Sequence, residues 1–399
     1  MALADRMKHF GLSPTLKISG EAKAMRAEGI DVIDLSVGEP DFPTPRNVKD
    51  AAQRAIAENA TKYTPNDGLP ELKRAIIERI RLDSEVEYQP KNIIVSSGAK
   101  NCLFNLCLAL LNKGDEVIIP APYWVSYPPM VQIATGTPVI IPTEEENGFR
   151  LTVGQLRAAL SDRTKAIIIN NPCNPTGAAY TREELNPVAE VCSRKNITMI
   201  ADEIYQKLVY DGFTFASVAS LGELIREHAV IINGVSKAYS MTGWRIGYAT
   251  GPQEIIAGMG KIQSHNTSCA CSISQKASIE ALSGPQAEVE KMAAEFQKRR
   301  DIMLERVQAI PGLSCTKPRG AFYLFPNVRY YLNSGSQETQ IQDSSDMAYY
   351  LLKQAHVAVV PGEAFGMAGH IRLSYATSLE RIEKAMDRIE KALTQLKPR

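Results

Sequence analysis

Asn174, Asp202 and Lys237 each stand a few positions beyond a short apolar run, and successive members lie 28 and 35 residues apart. Each gap is about the length of one strand–helix–strand unit, on the order of 30 residues. Open α/β sheets collect ligands beyond the carboxyl ends of their strands, so three residues spaced this way can converge on one crevice. A lysine amine held there can attack an aldehyde and form a Schiff base. Asn and Asp are also ordinary turn residues at such positions, and a lone lysine is ordinarily a solvated charge. Lys237, however, follows a run of buried type (Ala229-Val-Ile-Ile232), with few charged residues before Arg245.

An aldehyde cofactor that also needs an acid opposite its ring nitrogen is pyridoxal phosphate. Asp202 suits that acid: a carboxylate there keeps the ring protonated, and the ring then accepts the electrons of a Cα carbanion. Tyr205 and Asn174 are candidates for the ring hydroxyl oxygen. The phosphate needs a separate cradle. Ser97-Gly98-Ala99 opens a helical stretch, where free backbone N–H groups suit a dianion, and Ser236 and Arg245 add a hydroxyl and a charge. Trp124 offers a flat face to the ring, although a tryptophan after a strand is as readily core. Arg372 lies in the apolar run His370-Ile-Arg-Leu-Ser-Tyr-Ala376 and must find a partner, since an unpaired buried charge is costly. That partner is either a structural carboxylate or an incoming α-carboxylate held by the planar fork. Gly38 can bring backbone close to the same group.

The elements that must carry these residues are legible around them. Apolar runs at 93–95, 116–119, 138–141, 165–169, 197–200 and 229–232 alternate with helical stretches at 99–111, 153–160 and 181–194. That alternation predicts a mostly parallel sheet covered on both faces. A long charged helix is expected over 288–310, stopped by Pro311-Gly312, and a run at 357–360 reads as one further strand. Leu379, Ile382, Met386, Ile389, Leu393 and Leu396 form an apolar stripe suited to packing on a small sheet, with Thr377 and Glu380 at capping-box spacing. The expected organisation is an N-terminal segment 1–44 returning to a smaller domain, a large α/β domain over 45–295, and a small α+β domain over 296–399.

Composition narrows the function classes. Lys plus Arg is 45 against Asp plus Glu 44, a net charge of +1, which argues against a dedicated nucleic-acid binder. No apolar run nears the length of a membrane span, and residues 1–20 lack the apolar core of a secretory signal. The seven cysteines are scattered and odd in number, so they form no disulfide framework and point to a reducing cytoplasm. Cys269-Ala-Cys271 has no second pair beside it, so no metal site is expected. Neither a Walker lysine loop nor a GxGxxG dinucleotide fingerprint occurs.

At these residues the chain resembles the fold-type I pyridoxal-phosphate enzymes, specifically class I aminotransferases. The stretches that carry the resemblance are SVGEPDFPTP, TKYTPNDGLPEL, APYWVSYPPM, NNPCNPTGAAY, ADEIY, GVSKAYSMTGWRIGY, PRGAFY and HIRLSYATS, spanning 36–378. The branch most similar is that of the bacterial aspartate and prephenate aminotransferases. The resemblance implies an α/β fold with a seven-stranded, mostly parallel sheet and a smaller α+β domain, and a homodimer with active sites at the subunit boundary. It implies pyridoxal 5'-phosphate on Lys237, with Lys237 also shuttling the proton. Asp202 would lie at the ring nitrogen, Asn174 and Tyr205 at the ring oxygen, and Trp124 on the ring face. Ser97, Gly98, Ala99, Ser236 and Arg245 would hold the phosphate, with Tyr63 reaching the neighbouring subunit's phosphate. Arg372, helped by Asn174 and Gly38, would take the substrate α-carboxylate. The implied substrates are amino acids and 2-oxo acids, with L-aspartate and 2-oxoglutarate first and a ping-pong order. Thr15 and Lys100 match distal-carboxylate residues of the branch, whereas Gly11 stands where it commonly has lysine, and 261–273 holds no arginine. Prephenate, a neutral or aromatic donor, and C–S lyase chemistry remain open on the same scaffold.

Overall fold

Continuous β-branched runs bury both faces of a strand, and here they build the inside of a sheet. The computed structural model describes residues 3, 4, 7, 11, 14–334 and 340–396. Its strands are β1 (Ile33–Asp34), β2 (Ile93–Ser96), β3 (Glu116–Ala121), β4 (Thr137–Pro142), β5 (Thr164–Asn170), β6 (Thr198–Asp202), β7 (Ala229–Gly234), β8 (Gly247–Thr250), β9 (Tyr323–Leu324), β10 (Val357–Ala358), β11 (Val360–Pro361) and β12 (Ile371–Ser374). Seven of them form one sheet in the order β2-β8-β7-β6-β5-β3-β4. All run the same way except β8, which is antiparallel to both β2 and β7.

Side chains alternate across this sheet, as strand geometry requires. Ile168, Ile200, Val230 and Ile232 pack on one face with Leu103 and Leu106 of the helix Ala99–Leu110. Ile167, Ile169, Met199 and Ile231 pack on the other with Leu185 and Val188 of the helix Arg182–Arg194. That helix starts on the capping box of Thr181 and Glu184.

The helix Ala287–Ala309 leads out of this unit. It is tied across by Arg300, whose guanidinium bonds Asp211 and the Pro318 carbonyl. Beyond it β11, β12 and β9 form an antiparallel sheet. Ile382, Met386, Ile389 and Leu393 of the helix Leu379–Leu393 share a core with Leu324, Ile371 and Leu373 of that sheet. β1 pairs parallel with β10, Ile33 opposite Val357. Two local expectations are corrected. The last helix is capped by Ser378, whose side chain accepts from the Arg381 N–H, and not by Thr377. The run 357–360 is two strands, pairing in different sheets. No helix among the described residues is long and apolar enough to cross a membrane.

Candidate active site

Five parallel strands, β2, β3, β5, β6 and β7, end on the same edge of the large sheet, and the polar residues beyond them face a cavity of about 590 Å³. Strand order reverses between β3 and β5, where a doubly wound sheet opens a crevice. Arg372 enters from the opposite side, on β12, with Ile371 and Leu373 turned into the small core.

Asp202 ends β6 with its carboxylate buried. It accepts the Tyr127 hydroxyl at 2.7 Å and the Ile204 N–H at 3.3 Å. Burial still pushes its pKa up to about 6, against the downward pull of those bonds and of Lys237. Lys237, just past β7, donates to the Gly38 carbonyl at 2.6 Å. Burial lowers its amine to about 8; Glu39 pulls the other way and Arg372 adds to the lowering. The amine therefore holds a substantial neutral minority near physiological pH, far more than an ordinary lysine, and the neutral form is the one a nucleophile or base needs.

Asn174 is fixed from β5: its N–H donates to the Asn170 side chain at 2.7 Å, and its Oδ1 accepts Arg372 Nη1 at 2.9 Å. Arg372 is 3% exposed. Its Nη2 donates to the Ser36 carbonyl at 2.6 Å, and its Nε is buried with no hydrogen-bond partner. The structural-carboxylate reading of Arg372 thus fails among the described residues, because both bonds go to neutral oxygens. The guanidinium lies 4.4 Å from the centre of the Tyr323 ring and 5.1 Å from that of Phe365. Tyr205 is buried with its hydroxyl 3.1 Å from that of Tyr323.

The turn after β2 is built around Gly98, whose φ of +92° is open chiefly to glycine. A Cβ there would run into the Arg245 guanidinium, so the glycine lets the cation lie against the start of the helix Ala99–Leu110. Arg245 donates to the Thr242 carbonyl at 2.8 Å and reaches the Ser97 carbonyl at 3.4 Å. Gly247 on β8 allows the strand to pass directly beneath the Ala99 N–H. Ala99, Ser236 and Trp124 line the cavity, as do Gly38 and Lys100. Lys100 Nζ sits 4.8 Å from the centre of the Trp124 ring, with its amine lowered by partial burial and by Arg245. Ser97 lines an adjoining space of about 780 Å³ shared with Lys100, Arg245, Phe104, Tyr123 and Pro128.

Among the described side chains, Tyr63 does not join this cluster. It is 93% exposed and lies outside the cavity. Thr15 belongs to the helix Pro14–Ala27, but its side chain lies outside the described part of the structure. Other wall residues were not singled out from sequence: Tyr127, Tyr323, Ser36, and Asp34 with Arg26, paired at 3.3 Å. The available signals were slight: a second aromatic three residues after Trp124, and a hydroxyl-tipped ring inside the apolar run Ala321-Phe-Tyr-Leu-Phe325.

Residues 30–389 match the family model described as aminotransferase class I and II. The aspartate aminotransferase of Bacillus sp. (strain YM-2) is 49% identical over 389 residues, covering 98% of each chain. The aspartate/prephenate aminotransferase of Cereibacter sphaeroides is 47% identical over 390 residues, covering 97% of this chain and 98% of that one. The crystal structure of the aspartate aminotransferase from Rhizobium meliloti matches with a TM-score of 0.96 at 46% identity, covering 100% of both chains. With this match over most of its length, the chain belongs to the class I and II aminotransferases, enzymes that transfer amino groups. Within the family it falls in the aspartate/prephenate aminotransferase branch, on the fold-type I architecture.

Proposed function

We propose that this enzyme moves the amino group of L-aspartate to 2-oxoglutarate, giving oxaloacetate and L-glutamate, on pyridoxal 5'-phosphate and in two half-reactions. The observation that carries the reading is the meeting of Lys237, Asp202 and Arg372 on one cavity. The residues fit the cofactor. An amine with a lowered pKa, a buried carboxylate and two side chains able to reach a ring oxygen share one wall, and the glycine turn leaves an anion cradle beside Arg245. When bound, the cofactor supplies an aldehyde to take up the amino group and a ring that holds the Cα electrons.

This chain's residues do the rest. Ser97, Gly98, Ala99, Ser236 and Arg245 hold the phosphate, by helix N–H groups, a hydroxyl and a guanidinium. Trp124 would cover a ring face. Asp202, kept in place by Tyr127, would lie opposite the ring nitrogen and keep it protonated. Asn174 and Tyr205 would donate to the ring oxygen. Arg372, which lines the cavity, takes the donor α-carboxylate with the planar fork of its guanidinium, and Asn174 and the backbone of Gly38 complete the fit. Lys237 Nζ then removes the Cα proton as general base. Lys100, at the cavity wall beside Trp124, gives the distal carboxylate of a dicarboxylate donor a cation; Thr15 is its proposed companion. The active unit is a homodimer, in which the protruding Tyr63 has a partner's phosphate to contact.

Spectra of purified protein with pyridoxal phosphate test this directly. The cofactor band should convert on adding aspartate or glutamate alone and return on adding 2-oxoglutarate or oxaloacetate. Conversion by neutral or aromatic donors alone would overturn the dicarboxylate assignment. Pyruvate, ammonia and a thiol released from a β-thio amino acid without an oxo-acid acceptor would mean C–S lyase chemistry instead. A second acceptor, prephenate, is favoured by the Cereibacter relative's name and by the adjoining space of about 780 Å³ beside Lys100. Prephenate should then restore the band as 2-oxoglutarate does.

A further inference from the structure

We propose that Tyr323 is a positioning residue that fixes the direction in which Tyr205 donates its proton. This rests on the reading that Tyr205 donates to the cofactor's ring oxygen. The Tyr205 and Tyr323 hydroxyls are 3.1 Å apart, and either can be the donor in the protein alone. A phenol has one proton. If Tyr205 spends it on the cofactor oxygen, its own oxygen is free to accept, and Tyr323 becomes the donor. The resulting chain runs Tyr323 O–H to Tyr205, then Tyr205 O–H to the ring oxygen, and successive hydrogen bonds in such a chain strengthen one another.

The surroundings hold Tyr323 in that role. It is fully buried on β9, and its ring lies edge-on to Tyr205 with centroids 6.0 Å apart. The Arg372 guanidinium lies 4.4 Å from the ring centre, and a cation there makes the phenol a better donor. A side chain at Gly38 would come within 3.2 Å of the Tyr323 hydroxyl, so the bare backbone at 38 leaves the hydroxyl its position. Tyr323 thereby ties the α-carboxylate arginine to the ring-oxygen tyrosine, a link separate from the direct bond of Arg372 to Asn174.

The test is the pH at which the bound cofactor's absorbance band changes in the holoenzyme. That midpoint reports how tightly the ring oxygen and the Lys237 nitrogen share a proton. In Tyr323→Phe the ring, its packing and the Arg372 stack remain. Tyr205 loses the donor behind it, donates more weakly and leaves more charge on the ring oxygen. The midpoint should rise, by about half a pH unit. Tyr205→Phe should raise it further, and adding Tyr323→Phe to that variant should change nothing more, because Tyr323 acts through Tyr205. An unmoved midpoint in Tyr323→Phe overturns the proposal. So does a double variant displaced from Tyr205→Phe by the same increment, which a merely structural role would give. Absence of any cofactor band in the unmodified protein would instead sink the underlying cofactor reading along with it.

Discussion

Asp202 illustrates how a buried carboxylate opposes the fold that holds it. Its carboxyl titrates at about 6 in the folded chain against an ordinary 3.8, because burial outweighs the Tyr127 and Ile204 bonds. Between those two values the native state binds more protons than the unfolded one, so stability falls as pH rises through the window. Above about 6 the full penalty is present, on the order of 3 kcal/mol. Asp202→Asn keeps an acceptor for Tyr127 and removes the charge. The apoprotein of that variant should melt higher than the unmodified apoprotein at pH 7–8, the gain fading as pH approaches 4, while transamination drops by about a thousandfold. Equal melting curves at pH 8 would contradict the assigned burden, and unchanged turnover the assigned role. Lys237 has the opposite sign. Its amine is lowered to about 8, so the neutral fraction grows roughly tenfold per unit up to that pH and then levels off. The rate at which apoprotein takes up pyridoxal phosphate should follow that curve, and a midpoint near the ordinary 10.5 would show that the amine is not buried in solution. At this scale the sequence marked the three polar residues that meet on the cavity but not their supports. Lys237, Asp202 and Arg372 are polar residues after or inside apolar runs, an anomaly that calls for a reason. Tyr127 and Tyr323 sit among apolar neighbours as any core tyrosine does, and only the fold brings their hydroxyls to Asp202 and Tyr205.

Elements were legible where burial is continuous. β3, β5, β6 and β7 coincide with apolar runs to within a residue or two at either end. β8 went unread because Gly247-Tyr-Ala-Thr250 carries no such run; it is a strand through its antiparallel partners β2 and β7. The same neighbourhood shows why an element's start can matter more than its length. The turn from β2 into the helix Ala99–Leu110 works because Gly98 has left-handed φ and no Cβ against Arg245. In Gly98→Ala both conditions fail, at a stability cost of about 1–3 kcal/mol. The added methyl should displace Arg245 from the anion cradle and leave Lys237 and Asp202 where they are. Apoprotein of that variant should therefore lose affinity for pyridoxal phosphate by about tenfold or more, yet bind pyridoxal, which has no phosphate, nearly as before. Equal losses for the two ligands would place the phosphate elsewhere.

For the whole molecule, one cavity is walled by two sheets, and one exposed tyrosine has no place in it. Tyr63 is 93% exposed, yet the loop that carries it is held firmly. Gln275 bonds the Leu69 N–H at 2.8 Å and the Thr64 hydroxyl at 2.9 Å, while Gln263 bonds the Asn66 carbonyl at 2.6 Å. A fixed loop presenting an exposed aromatic is arranged for a surface outside its own chain, and in the proposed homodimer that surface is the partner's phosphate site. Two variants, one without the amine and one with weakened cofactor binding, then separate the possibilities. Lys237→Ala lacks the amine but keeps Tyr63; Tyr63→Ala keeps the amine but lacks the phosphate contact. In a hybrid dimer of the two, the chain that retains Lys237 receives an intact Tyr63 from its neighbour. One of two sites is rebuilt, and at a cofactor concentration too low to fill the Tyr63→Ala homodimer the hybrid should recover about half the activity of the unmodified dimer. If Tyr63 serves its own chain, the retained lysine and the lost tyrosine share a site, and mixing the variants restores nothing.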